Sequence, residues 1–180
     1  MELITGYKGS PHVTAAQFAA LSRGFLTGSE SGALVDPVTE GFQAQIQSNN
    51  EVRIRSGIGI IQGRAFWVQP GSYDEITINN GNQGERRIDL VVARYTKAAE
   101  TAVESIAWVV IQGTPTTGSP SVPAYTSGNI DDGDNTVDLP MFQVRINNIT
   151  LASVTPVFDT VPISQETIDM FDEAGYPITA

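Results

Sequence analysis

Asp131, Asp132, Asp134 and Asp138, gathered around Gly133 and Asn135, form the densest set of hard oxygen donors in the chain, which makes them the first place to look for a bound cation. The run departs from a calcium loop of the helix-loop-helix type. Glycine falls at the second residue after Asp131, and no glutamate closes the loop at the required distance. Asp132, Asp134 and Asp138 stand as the candidate metal ligands, with a solvated turn as the simpler reading, and no cofactor is expected. The only histidine, His12, lies in Pro11-His12-Val13-Thr14. With no second histidine and no cysteine, neither a zinc site nor a Ser-His-Asp set can be completed around it, so a turn or capping contact is expected. Any two of the acids could converge as a glycosidase pair, but most lie in turns or beside arginine and lysine, where solvated charges belong. Trp67 and Trp108, inside apolar runs, offer ring faces to a sugar. Tryptophans so placed more often anchor a core or an interface. Gly81-Asn82-Gln83-Gly84 does not open a helix after a strand, which removes a phosphate-cradling loop.

These residues must be positioned by a scaffold, and its centre is the run Arg86-Arg87-Ile88-Asp89-Leu90-Val91-Val92-Ala93-Arg94-Tyr95, apolar on both alternating faces. It predicts a central strand buried on both sides. A carboxylate inside such a strand is costly unless it is met, so Asp89 is expected to pair with Arg87, Arg64 or a turn. Upstream, Gly6, Gly9 and Pro11 mark residues 1–12 as an extended arm. Thr14 and Gln17 have capping-box spacing, and Phe18, Leu21 and Phe25 follow at helical intervals, which predicts an amphipathic helix over 15–23. Residues 33–47 are ambiguous: Leu34 and Val38 suit a strand, and Phe42, Ala44 and Ile46 alternate as on a half-buried one. From Glu51 the alternation is clear, and 57–68 reads as a long strand or a strand pair with Gly59 and Gly63 as bulge or close-approach positions. Pro70-Gly71 predicts a turn before a short strand with Ile76 and Ile78. Residues 105–112 form the hairpin partner of the central strand.

The segment 113–138 is Pro, Gly, Ser and Thr rich, acidic and without period; a loop that long is usually functional or packed on a partner. Strands follow over 141–146 and 151–158, and Ser164 can cap a short helix carrying Ile168 and Phe171, stopped by Gly175. The expected fold is therefore mainly β, an antiparallel β-sandwich or barrel-like domain with a short N-terminal and a short C-terminal helix. Its parts are an arm, helix and connection over 1–47, a β domain over 48–160 and an extension over 161–180.

One domain's length, 180 residues, supplies enough apolar side chains for a real core. Twenty acidic against ten basic side chains give a net charge of −10, which repels phosphate backbones and anionic lipid and argues against nucleic acid and membrane as partners. The lack of cysteine removes a thiol nucleophile and a thiolate metal site, and leaves the fold indifferent to redox compartment. The first residues carry no secretory pattern, and no run approaches the ~20 apolar residues that span a bilayer.

The ordered set Ile4-Thr5-Gly6-Tyr7, Pro11-His12-Val13-Thr14, Ser48-Asn49-Asn50-Glu51-Val52-Arg53-Ile54, Ile61-Gln62-Gly63-Arg64, Asn80-Gly81-Asn82-Gln83-Gly84, the central strand, Val103-Glu104-Ser105, Gln112-Gly113-Thr114-Pro115, Pro123, Leu139-Pro140-Met141-Phe142 and Phe158-Asp159 resembles the small tail and baseplate-associated structural proteins of phages and prophages, including the N-terminal domains of tail-appendage proteins. The resemblance runs over residues 1–160. Residues 15–34 are less charged than relatives would have, and 161–180 extend past the usual end.

That resemblance implies a virion structural role without catalysis: a homo-oligomeric adaptor, a trimer being the expected state, that docks at the tail tip or baseplate among other tail proteins and holds host-recognition appendages. Such a protein is assembled in the host cytoplasm and ends in the virion. Asp89, Arg87, Tyr7, His12, Trp67 and Tyr125 are the expected structural and interface residues. The alternative is a module that grips host surface polysaccharide through loop aromatics such as Tyr73 and Tyr125. A tail-associated glycan hydrolase is the third reading and the least supported, since no acid pair is marked.

Overall fold

A computed structural model describes residues 14–25, 31–35 and 37–161. Tyr7, His12, the N-terminal arm and the helix expected after Ser164 lie outside the described residues. Among these residues the architecture is mainly β, two sheets of which one is a curled half-barrel, with one short helix near the N-terminus.

Helix α1 spans Ala15–Phe25 and is followed by β1 (Ser31–Leu34), β2 (Ala44–Ser48), β3 (Glu51–Ile61), β4 (Arg64–Thr77), β5 (Arg86–Lys97), β6 (Glu104–Ile111), β7 (Thr136–Asn147), β8 (Thr150–Pro156) and β9 (Thr160–Val161). One sheet is built on β3, with β4 along one side and β2 and β1 sharing the other; β9 adds beyond β1 as a parallel partner. The second sheet runs β6-β5-β7-β8, antiparallel throughout. β1 and β2 thus belong to the sandwich, although both begin before residue 48.

β5 is an interior strand, and Arg87 through Ala93 along it are all buried, as the two-faced apolar run requires. Its inner face, with Val91, Ala93 and Tyr95, joins Val52, Ile54, Phe142, Val144 and Ile146 in the core between the sheets. Its outer face, with Ile88, Leu90 and Val92, is buried as well. The long loop is tied to this sheet by paired backbone bonds between Thr116 and Arg86 of β5 and by Asp138 N–H of β7 donating to Thr126 O at 2.8 Å. β7 begins at Thr136, so the loop is shorter at its end than the sequence suggests. Pro140 lies within β7 opposite Val92, and the register shifts there, so that Met141 is the extra residue of a bulge. Such a bulge is where a strand tolerates a residue with no N–H to donate.

The capping box of α1 forms as expected: Gln17 N donates to Thr14 Oγ1 at 3.2 Å and Thr14 N to Gln17 Oε1 at 3.0 Å. The face it buries differs from the amphipathic reading. Ala19 is 1% exposed while Phe18 is 57% and Leu21 40% exposed. The helix rests on the β3–β4 turn, where Gly63 has φ +83° and a Cβ would stand 2.4 Å from Ala19 O, so only small residues fit at the crossing. The helix also continues through Gly24 to Phe25, past the expected stop.

Two further expectations change. Phe42 does not alternate along a strand with Ala44 and Ile46. It sits in a turn with φ 59° and drops its ring into the core, Ile46 is 38% exposed, and Val38 lies in a turn. Pro70-Gly71 does not end a strand either. β4 pairs with β3 on both sides of it, Val68 with Gly57 and Tyr73 with Arg55, and residues 69–72 bulge out between, held by Ser72 Oγ donating to Gln69 O at 2.8 Å.

Candidate interaction surfaces

The acidic turn spends its carboxylates on its own fold. Asp134 Oδ2 accepts from Asn129 N at 2.8 Å, Asp132 Oδ2 from Asn129 Nδ2 at 2.9 Å, and Asp131 pairs with Arg23 at 2.7 Å and Arg64 at 3.2 Å, bridging α1 to the start of β4. Asp138 stands apart from them in β7. It is buried and takes Arg94 Nε at 2.6 Å, Arg94 Nη2 at 2.8 Å and Thr126 N at 2.9 Å. Burial pushes its carboxyl up, but the hydrogen bonds from Arg94 and Thr126 and the Arg94 charge outweigh that and hold it below the usual carboxylate range. Among the described residues no group of three or more His, Cys, Asp or Glu is placed to hold a metal ion. Asp132, Asp134 and Asp138 are therefore not brought together.

Asp89 meets Arg87, the first of the three partners its sequence allowed. Arg87 Nε lies 2.9 Å from Asp89 Oδ1, Gly113 N donates to the same oxygen at 2.9 Å, and the remaining Arg87 nitrogens donate to the carbonyls of Asn79 and Asn80. This closed set fastens the turn before β5 and the exit from β6 to one point in the interior, an architectural role.

The exposed side of the sandwich is different. Among the described residues β4 pairs only with β3 and β6 only with β5, so both are edge strands there. They flank one another: Trp108 Nε1 on β6 donates to Asp74 Oδ2 on β4 at 2.8 Å, and Phe66, Trp67, Val68, Ile106 and Trp108 line one small cavity of about 100 Å³. Beside it, a cavity of about 270 Å³ is bounded by Ile61, Arg64, Phe66, Tyr95, Glu104 and Ile106. Within it Tyr95 donates to Glu104 at 2.9 Å and the Arg64 guanidinium lies 5.7 Å from the Tyr95 ring centroid. Burial, then the hydrogen bond to Glu104, pushes the Tyr95 phenol up to about 12.

Trp67 is 58% exposed and Ile106 37%. Trp67 is thus no core anchor, while Trp108 is half-buried against Phe42 with ring centroids 6.0 Å apart. Ala65-Phe66-Trp67-Val68 reads as apolar on both faces; the fold turns Phe66 and Val68 to the core and leaves Ala65 and Trp67 exposed, a choice between faces that the local pattern does not carry. Tyr73 and Tyr125 are both about half exposed, but one face of the Tyr73 ring is covered by Arg53 at 3.9 Å.

Neither a family model, a curated protein nor a solved structure matches this chain. What the surfaces can do must come from their own chemistry. Two strand edges unpaired among the described residues, with an open tryptophan and isoleucine between them, are the kind of feature that monomeric sandwiches blunt with charge or cover.

Proposed function

We propose that the chain is a non-catalytic virion structural protein of a phage tail or baseplate, an oligomeric adaptor that docks at the tail tip and supports host-recognition appendages. The sequence resemblance supplies the setting, and the observation that carries the reading is the open apolar flank of β4 and β6. An adaptor acts by burying surface against identical copies and neighbours, and a rigid sandwich with two unpaired edges beside Trp67 and Ile106 suits that work. The closed Arg87-Asp89 and Arg94-Asp138 sets serve it by holding loops rigid rather than by reacting. Its partners are copies of itself, a trimer being the expected assembly, and other tail proteins; it is assembled in the host cytoplasm and carried in the virion.

The alternative, recognition of host polysaccharide through Tyr73 and Tyr125, is less well supported because Arg53 already occupies a face of Tyr73. Light scattering on the purified chain and on a Trp67→Ser/Ile106→Lys variant tests the adaptor reading. The expected result is a discrete oligomer for the parent chain and a smaller species for the variant with an unchanged melting temperature. A parent chain that stays monomeric at high concentration, or one that degrades envelope polymers, overturns it.

A further inference from the structure

Arg23, Arg53, Arg55, Arg64, Arg87 and Arg94 each pair with a described acid. Arg86 and Arg145 make no side-chain hydrogen bond or ion pair with any described residue, and both are exposed. In a chain of net charge −10 these two cations share one cleft of about 410 Å³. Arg86 pairs across the sheet with Asn147, and Arg145 with Ile88, so Arg86, Arg145 and Asn147 emerge on the outer face of β5 and β7. Ser119 and Pro120 of the long loop form the wall, set there by the Thr116–Arg86 backbone pair, and Ala152, at the irregular register of β8, borders the other side. No described acid lines the cleft, and the guanidinium of Arg87, which also borders it, is fully engaged with Asp89, Asn79 and Asn80. Two free guanidinium forks with a serine hydroxyl, an amide and small apolar walls suit carboxylates on a peptide. Among the described residues no aromatic ring lines it for stacking on a sugar or a base.

The chain itself contains a matching ligand. Residues 165–173 carry Glu166, Asp169, Asp172 and Glu173 with Ile168, Met170 and Phe171 among them, and no basic side chain. We infer that the Arg86–Arg145 cleft is a docking site for the acidic 165–173 stretch of a second copy of this chain. The inference rests on the oligomeric reading above and gives it a specific joint, distinct from the β4–β6 flank.

The test titrates a fluorescent synthetic peptide of residues 162–180 into the full chain, following anisotropy at low salt, with light scattering in parallel. Expected are saturable binding that weakens as salt rises, a loss of roughly tenfold or more for Arg86→Gln/Arg145→Gln, and a similar loss when the peptide carries Gln and Asn in place of its four acids. Light scattering of the double variant is expected to show a smaller assembly. Equal affinity for parent and double variant overturns the inference, as does equal affinity for the neutral peptide, which leaves the protein's fold untouched. Inorganic phosphate binding in the cleft without peptide binding also overturns it, leaving a simple anion site. Peptide binding lost in the double variant with the assembly intact overturns the joint between copies. A parent chain that is monomeric defeats the oligomeric reading on its own, while the titration still decides whether the cleft takes the stretch.

Discussion

Arg87 and Asp89 stand at alternate positions of β5, and Arg87 Nε lies 2.9 Å from the Asp89 carboxylate with the two side chains 3% and 0% exposed. The spacing puts both on one face of the strand, and the interior on that face leaves neither any water. Removing one partner strands the other charge. Asp89→Ala is expected to cost about 3–5 kcal/mol in denaturant unfolding, and the Arg87→Met/Asp89→Leu double variant less than the sum of its parts. A loss under about 0.5 kcal/mol for Asp89→Ala would mean the carboxylate is solvated.

Asp138 makes stability depend on acid. Its folded carboxyl is held below its unfolded value of about 3.9, so its contribution is complete above that pH and is lost as pH falls from there through the folded value. Asp138→Asn is expected to cost about 1–3 kcal/mol at neutral pH, where the pair with Arg94 is charged. The gap between parent and variant closes as pH drops below about 4. A gap that stays constant through that range in urea titrations at successive pH values contradicts the assignment.

Tyr95 acts at the other end of the scale. With its phenol raised from about 10 to about 12, the folded state holds the proton more tightly than the unfolded chain. The associated stability is complete below pH 10 and is lost as pH rises through 12. Ultraviolet titration of phenolate in the folded protein should show a late component near pH 12 that Tyr95→Phe removes; an unchanged titration curve in the variant would overturn the assignment.

Phe42 and Gly57 are coupled by contact. A Cβ on Gly57 would stand 2.4 Å from the Phe42 ring, which is 1% exposed and lies 5.8 Å from the Phe66 ring centroid and 6.2 Å from that of Phe158. Phe42→Ala is expected to cost about 3–5 kcal/mol and Gly57→Ala about 1–3 kcal/mol. In the Phe42→Ala background, Gly57→Ala should cost almost nothing, because the new methyl enters the vacated space. Additive losses in the double-mutant cycle would show that the ring and the glycine do not meet.

Features with a strict local period were legible in the chain alone. The two-faced apolar run of β5 announced an interior strand, the burial of Asp89 called for a donor that Arg87 supplied, and the Thr14–Gln17 spacing set the start of α1. Positions where one neighbour overrides the period were not. Ala19 rather than Phe18 is buried because the Gly63 turn meets the helix backbone there, and Phe42 enters the core from a turn because Gly57 leaves a hole for its ring. Asp138 looked like part of an acidic cluster, yet β7 carries it to Arg94, 44 residues earlier in the chain.

The candidate surfaces follow the same division. Trp67 and Ile106 are apolar residues in apolar runs, and Arg86 and Arg145 are ordinary strand cations; nothing local distinguishes them from a core residue or a paired charge. Alternation along the chain determined which residues share a face of a strand, since successive side chains must point to opposite sides. Only the assembled sheets decided which strands ended at an edge, which charges found a partner and which side chains stayed open, because pairing and the packing of one sheet on the other bring together residues far apart in the chain.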